Sequence, residues 1–156
     1  MSGYRSKSVA TWIAVVGGAF GGQRLYLHGG RDPLAWLHPW PTALGLYGVW
    51  RMRTFGQDDT LATLLVPLLG VMLTIGMLSA IVIGLTPDER WDARYNPGRA
   101  SHGTRWWPVL GAIAALLLGG GVLIGTIAFT GQRFFEWQQQ PRTADAGFGS
   151  ATGSSG

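Results

Sequence analysis

The chain has 156 residues, of which 13% are charged and 47% hydrophobic, with 25 glycines, 8 tryptophans and no cysteine. Charge at half the usual ~25% cannot cover so apolar a chain in water, so the expected solvent is lipid. The net charge of +4 is scattered rather than gathered into a positive track, which argues against nucleic acid, and the lack of Cys excludes disulfides, thiolate metal sites and Cys nucleophiles.

The first predicted element, Val9 to Gly22, is apolar but short. It follows a basic start, and no A-x-A-like cleavage site comes after it, so it is read as a retained first span rather than a signal peptide. The stretch "GGAFGGQRLYLHGG", Gly17 to Gly30, invites comparison with a phosphate loop. Gly17 and Gly22 have the Walker separation, but Gln23 and Arg24 stand where Lys and Ser/Thr are needed. The pattern G-x-G-x-x-G fails as well, and an apolar helix precedes where a strand should. No nucleotide is expected. The spacing fits small-xxx-small packing: Gly17 with Gly21, and Gly18 with Gly22, lie four apart and would let another helix approach closely. Arg24 and Tyr26 suit a turn at the headgroup level.

The second apolar segment, Leu34 to Trp50, is also short and holds His38, Pro39 and Pro41. With the first it is expected to form a helical hairpin. An ionisable group at such a place is a functional hypothesis by default, but His28 and His102 are the other histidines and both fall in predicted loops. No metal or haem site is expected.

The clearest segment is Leu61 to Leu85, 25 residues without a charge and with Pro67 near one end. About 20 apolar residues cross a bilayer core of ~30 Å, so this one spans. Gly76, Ala80 and Gly84 repeat the small-residue spacing. The connection Thr86 to Arg105 is polar. Its Arg90, Trp91, Arg94 and Tyr95 suit docking to a partner or to the membrane surface, with a plain linker as the alternative. Asp88, Glu89 and Asp92, interleaved with arginines, are read as solvated ion pairs rather than acid–base catalysts. The last predicted span, Trp107 to Thr130, is again uncharged and carries Gly121 and Gly125 four apart. From Gln138 the tail is small and polar and is expected to be disordered. Tryptophans and phenylalanines near the predicted ends match interface positions.

The expected fold is therefore an all-α integral membrane protein with about four transmembrane helices. Residues 1–60 form the hairpin and its flanks, 61–137 two further spans, and 138–156 the tail. On that topology Arg5, Lys7, Arg51, Arg53, Arg133 and Arg142 share one side, and Arg24, Arg31, Arg90, Arg94, Arg99 and Arg105 the other. The Lys/Arg balance is tied; the N-terminal amine tips it towards both termini being cytoplasmic.

The segment Ser6 to Trp50 resembles the TM-2 domain family. Lys7, Ser8 and Ala10 are followed by Gly18, Gly21, Arg24, Tyr26 and Leu27 in register with a G-x-x-G-x-H-R-F-Y-L-G-like turn, then by Gly45, Gly48 and Trp50. Gln23 stands where the family has His, Leu25 where it has Phe, His28 where it has Gly, and the Asp after the last Trp is absent. The resemblance implies a two-helix membrane hairpin with Arg and Tyr at its turn, in a divergent member with two added spans. It implies no catalytic residues.

No nucleophile, metal set or cofactor loop is present in the sequence, so no enzyme and no cofactor are expected. The expected role is structural: an accessory or assembly subunit of a larger membrane complex, or a self-associating protein, in the bacterial cytoplasmic (inner) membrane. Its partners would be the bilayer and other membrane subunits. A small channel or transporter subunit is the first alternative, with backbone carbonyls in place of charges, and a lipid-interacting protein acting through Arg24 is the second.

Overall fold

The computed structural model describes residues 4–99, 103 and 106–139. Among them the chain is helical, without strands. Seven α-helices follow in order: α1 (Lys7–Gly17), α2 (Gly22–His28), α3 (Pro33–Leu37), α4 (Pro39–Phe55), α5 (Thr60–Leu85), α6 (Asp88–Tyr95) and α7 (Trp107–Gln139), with a 3-10 turn at Gly18–Phe20.

Local chemistry sets most boundaries. Asp59 caps α5, its carboxylate accepting from the Leu61 and Ala62 amides, and Asp32 caps α3 through the Leu34 amide. Pro33 and Pro39 stand in the first turns of α3 and α4, where a missing N–H costs nothing. In α6, Asp88 and Glu89 lie in the first turn and Arg94 in the last, matching the helix dipole.

At 26 and 33 residues, α5 and α7 are long and apolar enough to cross a membrane; at 1.5 Å per residue they measure about 39 and 50 Å. They pack antiparallel along the length of α5. Gly84 meets Pro108 and Ala112 near one end, Gly119 meets Met77, and Gly70 meets Thr126 towards the other.

The first half of the chain departs from a side-by-side hairpin. α1 lies on the C-terminal part of α5: Lys7 Nζ donates to the Thr86 carbonyl at 2.8 Å, and the 3-10 turn sits on Gly76. Gly21, at φ +77°, then reverses the chain, which glycine does without steric cost. α2 runs back alongside α1, so the Tyr26 hydroxyl reaches the Ser6 amide at 3.1 Å. α3 returns to Gly21, whose neighbours include the Ala35 carbonyl and His38. α4 starts there, with the Thr42 hydroxyl donating to the Ala19 carbonyl. It continues along the N-terminal part of α5, Gly45 against Leu69 and Gly48 against Leu65. So α1 and α4 follow one another along α5, both antiparallel to it, and α2–α3 is an excursion inserted between them.

Four expectations change as a result. The helix does not run through the glycine stretch, because it ends at Gly17 and Gly21 is left-handed; Gly17/Gly21 and Gly18/Gly22 are not pairs on one helical face. Ser6 lies at the same end of the molecule as Tyr26, His28 and α6, where the expected sides set the N-terminal segment opposite them. The polar connection contains a helix, α6. The last span runs on past Thr130 to Gln139, because Gly131 to Gln139 still permits helix; the tail beyond it lies outside the described residues.

Candidate functional site

At the end of the molecule that carries Lys7, three segments lock together. Asn96 is buried, 4% exposed. Its Oδ1 accepts from the Arg5 amide at 2.9 Å, and its Nδ2 donates to the Arg5 carbonyl and to Asp92 Oδ1. The Trp91 indole N–H donates to that same Arg5 carbonyl at 2.9 Å. Lys7, also buried, pairs with Asp88 and with the carbonyl of Thr86, the C-cap of α5, a favourable place for a cation. Around this polar lattice Trp91 packs with Ala10, Leu27, Tyr26 and Tyr95. The result is a clasp that ties the N-terminal strand of chain, α2 and α6 into one unit.

Beneath the clasp runs a seam of close backbone approaches centred on α5. A Cβ placed on Gly76 would lie 2.7 Å from the Gly18 carbonyl carbon, and one on Gly18 would lie 2.6 Å from Gly76 Cα. Ala80 is fully buried beside Ala14, Met77 and Ala115. At Gly84 the helices α1, α5 and α7 converge, with Thr11 and Pro108 as neighbours, and Gly111 faces Thr11 from α7. Small residues give three helices the contact surface that large ones would block.

The sequence-predicted residues thus divide. Gly18, Gly76, Ala80 and Gly84 form the seam, Gly21 makes the turn, and Gly22 lies close to Ile13 and the Gly17 carbonyl. Tyr26, Trp91 and Tyr95 come together in the clasp. Trp91 is 3% exposed, so its role is internal packing rather than docking. Arg24 pairs with Asp32 at 3.1 Å. The Asp32 carboxyl is pushed up by desolvation, but the Leu34 amide and the Arg24 guanidinium outweigh that and hold it below its ordinary value. Arg90 and Arg94 are exposed, Arg94 lying over the Tyr95 ring. Gly17, Gly121 and Gly125 face open space, with no atom within 4 Å of a Cβ built on them.

Several residues of these sites were not predicted. Asn96, inside "YNPG", carries the signature of a turn residue, and nothing in its neighbours marks it as a buried clamp. In the sequence Lys7 figures only in the charge balance and in the TM-2-like start, with nothing to mark it as buried. Gln23 is buried in α2 with its Oε1 unpartnered among the described residues. Gly45 and Gly48 stand out in the sequence only through the resemblance to the TM-2 domain family.

A groove separates α5 and α7 at the opposite end of the molecule. Its mouth is a recess of about 640 Å³, lined by Asp58, Thr60, Thr63, Thr130, Arg133 and Trp137 among others. Beside it, sharing Pro67, an apolar trough of about 260 Å³ runs over the contact of Gly70 with Thr126, lined by Leu69 and Leu73 on one helix and Val122 and Phe129 on the other. No family model, curated protein or solved structure matches the chain.

Proposed function

We propose that the chain is an integral membrane protein of three crossings whose role is to associate with other membrane helices, as an accessory or assembly subunit. The observation that carries this is how little of the two long helices the chain itself covers. Only 33% of the most apolar part of α5 and 17% of that of α7 is buried. A core helix of a water-soluble protein would be largely covered; Leu116, Leu117, Ile124 and Ile127 instead stand more than half exposed. Lipid, or the helix of a partner, is the environment that suits such a surface.

The three-crossing topology rests on the stacking of α1 and α4 along one neighbour. Together they match the length of α5, and α2–α3 re-enters from the Lys7 end without passing through. The resemblance of Ser6–Trp50 to the TM-2 domain family is compatible with membrane residence, but the hairpin it implies would count one crossing more. With three crossings the charge tie is broken. Among the described residues Arg5, Lys7, Arg24, Arg31, Arg90, Arg94 and Arg99 gather at one end and Arg51, Arg53 and Arg133 at the other. The positive-inside rule then puts the N-terminal end in the cytoplasm of a bacterial cytoplasmic membrane.

The uncovered face of α7 that carries Gly121 is the proposed contact with a partner helix, since glycine there is not needed by the chain's own packing. Extraction in a mild detergent followed by native gel and mass analysis tests this. The expected result is a complex larger than the monomer that Gly121→Leu dissociates. A strict monomer from native membranes would contradict the proposal.

A further inference from the structure

The groove between α5 and α7 has the build of an amphiphile site: a polar mouth at the helix ends adjoins an apolar trough, with Pro67 lining both. The charge at the mouth is specific. Asp58 makes no ion pair among the described residues. Both Glu136 oxygens are engaged, one by Gln132 at 2.8 Å and one by Arg133 at 2.9 Å. Arg133 also lies over the Phe129 ring, 5.6 Å from its centre, and so joins mouth to trough. The sum over Asp58, Glu136 and Arg133 is one negative charge, which disfavours an anionic headgroup and favours one that brings an ammonium. Pro67 supplies a second feature. It has no N–H, so the Thr63 carbonyl four residues earlier in α5 loses its helical donor, and Thr63 lines the mouth. A freed carbonyl and the Thr60 and Thr63 hydroxyls are acceptors for N–H groups.

We infer that this groove holds one phospholipid with a zwitterionic, primary-ammonium headgroup, of the phosphatidylethanolamine class. The ammonium is received by Asp58 and the Thr63 carbonyl, the phosphate by Arg133, and an acyl chain lies along the trough towards Leu73 and Val122. A quaternary ammonium carries the same charge but no N–H, so phosphatidylcholine binds less well, and phosphatidylglycerol least. The inference rests on the membrane assignment proposed above.

The test uses the full chain purified in mild detergent, offered equal amounts of dioleoyl phosphatidylethanolamine, phosphatidylcholine and phosphatidylglycerol, with bound lipid counted by native mass spectrometry. The expected result is retention of phosphatidylethanolamine over phosphatidylglycerol by about tenfold, the scale of one charge-assisted hydrogen bond. Asp58→Asn, at an exposed position, erases the preference. Gly125→Leu, at a trough position where an added Cβ meets nothing within 4 Å, loses the lipid. Equal retention of the three lipids, or a preference that survives both substitutions, would overturn the site. A chain that stays in solution without detergent would overturn the membrane assignment as well, whereas an embedded chain without lipid preference overturns the groove alone.

Discussion

Single glycines decide how closely the helices of this protein approach. At Gly76 the nearest atoms of the opposing turn belong to backbone, which cannot swing aside as a side chain can. Even one added carbon must therefore push the 3-10 turn off α5. Gly76→Leu is expected to cost about 2 kcal/mol or more, the upper range for overpacking. Gly120→Leu, at an open position of α7, should cost no more than about 0.5 kcal/mol relative to the parent chain. Reversible unfolding of the two variants in the same detergent measures the contrast, and equal losses would refute the seam. The spacing Gly76–Ala80–Gly84 was legible in the sequence because it persists on one uninterrupted helix. The pairs around Gly17 were not. Their spacing assumed a continuous helix, and the left-handed Gly21 removes that assumption.

Among elements, the joint between α4 and α5 depends on one charged pair. Arg51 in the last turns of α4 reaches Asp59, the N-cap of α5, at 2.6 Å. The hydrogen bond from the Arg51 side chain, opposed by partial burial, holds the Asp59 carboxyl below its ordinary value. A carboxyl with a lowered folded-state pKa stabilises the fold above its unfolded value, near ~3.9, and that contribution fades as pH falls through the lowered pKa. The stability difference between the parent chain and Asp59→Asn is therefore expected to be flat above about pH 5 and to shrink below about pH 4. Unfolding of both proteins across that range checks it; a difference that grows with acidification would contradict the pairing. The two long helices were readable from composition alone, since an uncharged run of 25 residues has few other fates. The clasp was not readable. It joins Arg5 to Asn96 across 91 positions, and its members look like turn and surface residues until the fold brings them together. α6 was hidden for the same reason, since a short polar helix has no apolar period to announce it.

For the molecule as a whole, the decisive feature is that α1 and α4 share one track along α5. Apolar length alone counted each as a short span, and so put the chain's ends on one side. Packing instead sets them one after the other along α5, with α2–α3 folded back towards the clasp, and the proposed topology takes them as two parts of one crossing. In that proposed topology the N-terminal segment, the α2–α3 connection and α6 face one side of the membrane, and the end of α7 faces the other. Because the chain has no cysteine, single introduced thiols report position without background. The direct measurement is labelling of Tyr4→Cys, Gly30→Cys and Gln139→Cys by a membrane-impermeant maleimide in intact cells and in inverted vesicles. The three-crossing account predicts that Tyr4→Cys and Gly30→Cys are labelled from the cytoplasmic side and Gln139→Cys from the opposite side. Labelling of Gly30→Cys from the side opposite Tyr4→Cys, with Gln139→Cys on the side of Tyr4→Cys, would contradict it.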